Sequence, residues 1–138
     1  MEQLAVEIVG LCREYGECRV EVERMEEVRR VKNALESVCV VARRKLDISD
    51  PALLLALLDA YEVTRDEGML QEVLDVVGRN LDRLAVSAES VKLLAYCYYY
   101  VEEEECAERA RRMLEELRKM GRGEEELADA ETILEELT

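Results

Sequence analysis

The chain has no histidine, no tryptophan and no phenylalanine among its 138 residues, and a single proline, Pro51. Each absence removes a class of function. Without histidine there is no Ser/His or Cys/His pair and no Glu-x-x-His di-iron motif. A cysteine nucleophile would lack its usual base. The five cysteines (Cys12, Cys18, Cys39, Cys97 and Cys106) are odd in number and form no Cys-x-x-Cys pair, so a zinc site is not supported. They read as buried thiols acting as small hydrophobes. Cys97 and Cys106 can pair only if their helices face each other. There is no GxxxxGK phosphate loop and no Asp-x-Asp-x-Asp-Gly calcium loop. No cofactor is expected, and the balance tips from catalysis towards binding.

Six glycines and one proline are too few turn residues for a sheet protein. Asparagine and glutamine are almost missing (Asn33, Asn80, Gln3 and Gln71), while Glu and Arg are plentiful, the bias of a thermophile. No apolar run approaches the length of a membrane span. Met1-Glu2-Gln3-Leu4 shows no basic segment followed by an apolar stretch, so a cytoplasmic location is expected.

Apolar residues make up 49% of the chain, enough for a core without staples, and the length suits one helical domain over 1–138. Glu, Arg, Leu, Ala and Met dominate, and all favour helix. The net charge of −14 repels phosphate backbones and anionic lipid, so neither nucleic acid nor membrane is an expected partner. A basic protein or peptide is the natural complement.

Apolar spacing and caps predict seven helices in an all-α fold. The first covers about 2–15, with a stripe of Leu4, Ile8, Leu11 and Tyr15 and a stop at Gly16. A long segment over about 19–46 steps by three and four through Met25, Val28, Val31, Leu35, Val38 and Ala42. Its near-continuous apolar run Val38–Ala42 should be buried all round, and Arg29-Arg30 and Asn33 leave open whether it is one helix or two. Asp50-Pro51 caps a third helix to about Arg65. Asp66-Glu67-Gly68 reads as a tight turn before a fourth helix, Met69 to Leu84. Ser87 caps a fifth over about 88–101. The stripe Val91, Leu94, Tyr98, Val101 changes phase at Cys106, Ala110, Met113, Leu117, Met120, so a turn separates helices five and six. Gly121 ends the sixth, and Leu127, Ala130, Leu134 and Leu137 line a seventh over 124–137.

The chain repeats itself at 36–37 residues. Leu54, Leu57, Leu58, Tyr61, Leu70 and Val77 fall on Val91, Leu94, Ala95, Tyr98, Ala107 and Leu114, and Asp50-Pro51 and Ser87 precede the two units at 50–84 and 87–120. Repeats of this length indicate stacked helical hairpins. The pattern resembles the tetratricopeptide repeat over about residues 50–120. It departs from that family in having Leu54 and Val91 at the Trp-like positions, Leu58 and Leu70 at small-residue positions, and Arg111 at an aromatic one. The resemblance implies antiparallel hairpins stacked as a short right-handed array, with 1–46 ahead of them and 124–137 as a capping helix.

Tyr96-Cys97-Tyr98-Tyr99-Tyr100 holds four of the six tyrosines. At 100° per residue these side chains point round the whole helix and cannot all be core. By the resemblance, Tyr98 packs inward while Tyr96, Tyr99 and Tyr100 line a peptide-binding groove with Asp59, Glu62, Val63 and Lys92. Tyrosines among carboxylates suit a basic peptide, through rigid contact area and cation–π pairing. The alternative use of the tyrosine face is as the interface of a structural homo-oligomer. Separately, Glu104-Glu105-x2-Glu108 followed by Glu126-x2-Asp129 resembles the EExxE…ExxD pattern of the all-α MazG-like nucleotide pyrophosphatases, and so implies a magnesium site on those acids. The remaining charge runs, such as Arg109, Arg111 and Arg112 with Glu108, Glu115 and Glu116, sit at helix-pair spacing and read as a solvated face.

Overall fold

A computed structural model describes residues 2–20, 24–121 and 124–137. Among these described residues seven α-helices follow one another: α1 (Glu2–Cys18), α2 (Met25–Arg43), α3 (Pro51–Thr64), α4 (Glu67–Arg79), α5 (Ala88–Val101), α6 (Glu104–Lys119) and α7 (Glu124–Leu137). A short 3-10 turn, Leu81–Arg83, precedes α5. No strand occurs among the described residues, and none of their helices is long and apolar enough to cross a membrane.

The expected caps hold. The Asp50 carboxylate accepts the Leu53 N–H at 3.2 Å, with Pro51 at the first helical position. Ser87 Oγ accepts the Ser90 N–H at 3.1 Å, and it also donates to Ser90 Oγ at 3.0 Å, so the fully buried Ser90 hydroxyl is satisfied. Capping bonds of this kind stabilise a helix start by about 1 kcal/mol. Other boundaries differ. α1 runs through Gly16 to Cys18, since one glycine costs a helix only about 1 kcal/mol. α2 is continuous through Arg29-Arg30 and Asn33 and begins at Met25; residues 21–23, expected near its start, lie outside the described residues. The turn before α4 sits earlier than expected. Arg65 takes the left-handed conformation at φ 55°, Asp66 caps the Met69 N–H at 3.1 Å, and Gly68 is already helical.

Contacts cluster into two compact units, Met1–Val73 and Leu74–Thr138. In the first, α1 packs on α2 and α3, and α2 on α3. Its core is Ile8, Val31, Leu35, Cys39, Ala42, Leu53, Leu54, Leu57 and Leu58. In the second, α5 packs on α6 and α7, and α6 on α7. Val91, Leu94, Ala107, Ala110, Met113, Leu117, Leu127, Ala130 and Leu134 are buried there, and Arg118 and Glu131 tie α6 to α7 at 2.5 Å.

The apolar run of α2 is not buried all round. Val31, Leu35, Cys39 and Ala42 are covered, but Val40 and Val41 are 51% and 44% exposed, as is Met25 at the other end. The helices of the first unit cover one stripe of α2, and apolar composition alone does not create a second neighbour. Val101 and Met120, the last members of their stripes, are exposed for the same reason.

Candidate functional site

The fifth helix buries more than half of its circumference. Ser90, Val91, Leu93, Leu94, Ala95 and Cys97 are covered. Lys92, Tyr96, Tyr99 and Tyr100 stand at i, i+4, i+7 and i+8, a spacing that gathers them on the remaining arc. Tyr99 is 57% exposed, and the other three are half-buried. The Tyr99 and Tyr100 rings meet edge to face, with centroids 5.1 Å apart at 71°. Such a pair gives stiff, amphipathic contact area on a rigid helix.

The repeat sharpens into an offset of 37 residues. α3 begins at Pro51 and α5 at Ala88; α4 begins at Glu67 and α6 at Glu104. Under this offset, the α3 residues matching Lys92, Tyr96, Tyr99 and Tyr100 are Leu55, Asp59, Glu62 and Val63. Asp59 and Glu62 are exposed. The same arc is therefore acidic on α3, in the first unit, and aromatic on α5, in the second.

The turn after each helix is also built twice. Arg65 and Glu102 are the only non-glycine residues with positive φ among the described residues, at 55° and 52°. Their N–H groups donate to the Tyr61 and Tyr98 carbonyls at 2.8 and 2.7 Å. Six residues after each tyrosine, a glutamate opens the next helix and accepts the tyrosine hydroxyl: Tyr61 Oη to Glu67 at 2.5 Å, Tyr98 Oη to Glu104 at 3.4 Å. Both phenols are held above the ordinary tyrosine range. The hydrogen bond to Glu67 dominates for Tyr61, and the Glu104 charge for Tyr98. Tyr98 is half-buried with its hydroxyl at the surface. The Tyr-x5-Glu spacing, repeated at 37 residues, is the sequence signal that marks this turn.

Other candidates fare differently. Glu104, Glu105 and Glu108 lie on the exposed face of α6 and Asp129 on that of α7, while the Glu126 side chain lies outside the described residues. Among the described residues, no group of three or more His, Cys, Asp or Glu is placed to hold a metal ion. All five cysteines are free thiols. Burial pushes Cys18, Cys97 and Cys106 up, and Cys12 and Cys39 up to about 11, the opposite of the shift that activates a thiol nucleophile. A shallow depression of about 320 Å³ beside α2 contains Arg43 and Cys39. Its arginine is already engaged by Glu72 at 2.7 Å and Asp66 at 2.9 Å.

Comparison with protein-family models, with curated proteins and with solved structures returns no match.

Proposed function

We propose that this protein is a non-enzymatic interaction module that binds a basic peptide or a basic face of a partner protein. The outer arc of α5, with Tyr96, Tyr99, Tyr100 and Lys92, is the contact surface in this reading. The observation that carries it is the edge-to-face pair of exposed Tyr99 with half-buried Tyr100, on a helix whose opposite face is fixed in a core. Interfaces concentrate their energy in such rigid aromatic side chains. Asp59 and Glu62, exposed on the matching arc of α3, offer a basic partner carboxylates of their own. Recurrence of one hairpin at 37 residues supports a tetratricopeptide-like right-handed array as the architecture. The charge of −14 favours a basic partner over a second copy, because two such copies repel.

Calorimetric titration with a hexa-lysine and a hexa-arginine peptide tests this at low salt, with hexa-glutamate as control. Both basic peptides bind. The triple substitution Tyr96→Ala, Tyr99→Ala, Tyr100→Ala weakens them by about tenfold or more. Unchanged affinity in the triple variant removes the tyrosine arc from the interface.

A further inference from the structure

The two tyrosine turns share a backbone conformation and a tyrosine-to-glutamate hydrogen bond, and one of their differences concerns a cation. In the first, the Arg65 guanidinium carbon lies 5.6 Å from the centre of the Tyr61 ring. The same guanidinium reaches Glu62 at 3.5 Å, while the Tyr61 hydroxyl donates to Glu67. The chain thus seats one of its own arginines on a ring flanked by two carboxylates. In the second turn the ring is Tyr98 and the acceptor is Glu104, but the residue matching Arg65 is Glu102. Glu62, Arg65 and Glu67 sum to one negative charge; their counterparts Tyr99, Glu102 and Glu104 sum to two.

The conformation of Glu102 adds weight. A left-handed backbone costs an ordinary L-residue roughly 1–2 kcal/mol, and glycine is the usual occupant. Arg65 uses its side chain there on Tyr61 and Glu62. Among the described residues, the Glu102 carboxylate makes no hydrogen bond or ion pair, and its charge acts on Tyr98. Arg111 on α6 lies near enough to oppose that effect, but it makes no ion pair with Glu102 or Glu104 among those residues.

We infer that the Tyr98 ring, with the Glu102 and Glu104 carboxylates, is a subsite for an arginine side chain of the partner, seated as Arg65 is seated on Tyr61. Arginine suits it better than lysine, because a planar guanidinium stacks on a ring while its N–H groups reach carboxylates beside it. This rests on the reading of the module as a binder of basic partners, and it names the side chain recognised at one end of the α5 surface.

The test is the substitution Glu102→Arg, which supplies the missing cation within the chain. The first turn shows that arginine is accepted at this backbone conformation. Glu103→Arg makes the same charge change one residue along. Hexa-arginine is titrated against both variants and the parent. The six tyrosine rings, labelled with carbon-13, are followed by NMR. Glu102→Arg shifts the Tyr98 ring resonances without peptide and weakens hexa-arginine binding by about tenfold, while Glu103→Arg weakens it by about threefold or less. Equal weakening by the two, with the Tyr98 resonances unmoved, overturns the subsite and leaves the basic-partner reading standing. A parent protein that binds neither hexa-arginine nor hexa-lysine overturns both.

Discussion

Replacing Glu102 by glycine is expected to make the protein more stable and its arginine subsite weaker. Glu102 sits at φ 52°, ψ 30°, at the C-terminal end of α5. That conformation costs an L-residue roughly 1–2 kcal/mol, and glycine adopts it freely. Against this stands the greater entropy of glycine in the unfolded chain, roughly 0.5–1 kcal/mol. Relief of repulsion with Glu103 and Glu104 adds a few tenths at most, because all three are solvated. The net gain is about 1 kcal/mol. Arg65→Gly is the internal control. It relieves the same backbone conformation but loses the guanidinium over Tyr61 and the 3.5 Å pair with Glu62. Exposed interactions of these kinds contribute roughly 0.5–1 and 0.2–1 kcal/mol, so this variant should be near neutral. Guanidinium unfolding followed by circular dichroism at 222 nm measures both. A Glu102→Gly midpoint at or below that of the parent refutes the argument from backbone strain. Equal midpoints for the two variants refute the energetic role given to Arg65.

Leu94 is fully buried in the second unit, and Leu94→Ala should cost about 2–5 kcal/mol, whereas Val41→Ala, at a site 44% exposed, should cost about 0.5 kcal/mol or less. Unfolding midpoints compare them, and similar losses would contradict the assignment of the outer side of α2 to solvent. Burial pushes the Cys12 and Cys39 thiols up to about 11. At pH 8 iodoacetamide should therefore modify them about a hundredfold more slowly in the native protein than in the unfolded chain, where thiols titrate near ~8.5. Their folded pKa lies above the unfolded value, so the stability they contribute is full below about pH 8.5 and is lost as pH rises towards 11. Equal alkylation rates with and without denaturant would exclude the burial argument.

The sequence by itself determined what is local. Asp50-Pro51 and Ser87 set the starts of α3 and α5 because a side-chain cap acts over three residues. The phase change between Val101 and Cys106 located the turn before α6, and the recurrence of Tyr61 at Tyr98 located the duplicated hairpin. Seven helices were legible for this reason: 3.6-residue periodicity and caps are read within one or two turns. Tertiary structure decided which apolar residues find a neighbour. Nothing within 38–42 distinguishes Cys39 and Ala42, covered in the first unit, from Val40 and Val41, left outside. The division of the four clustered tyrosines between the α5 arc and the turn at Glu104 was fixed by what packs against the other side of the helix. So was the seating of Arg65 on Tyr61, because a backbone of positive φ aims a side chain where a helical one does not. Burial and aim depend on residues distant in the chain, and a sequence pattern can state only that a face is apolar, not what covers it.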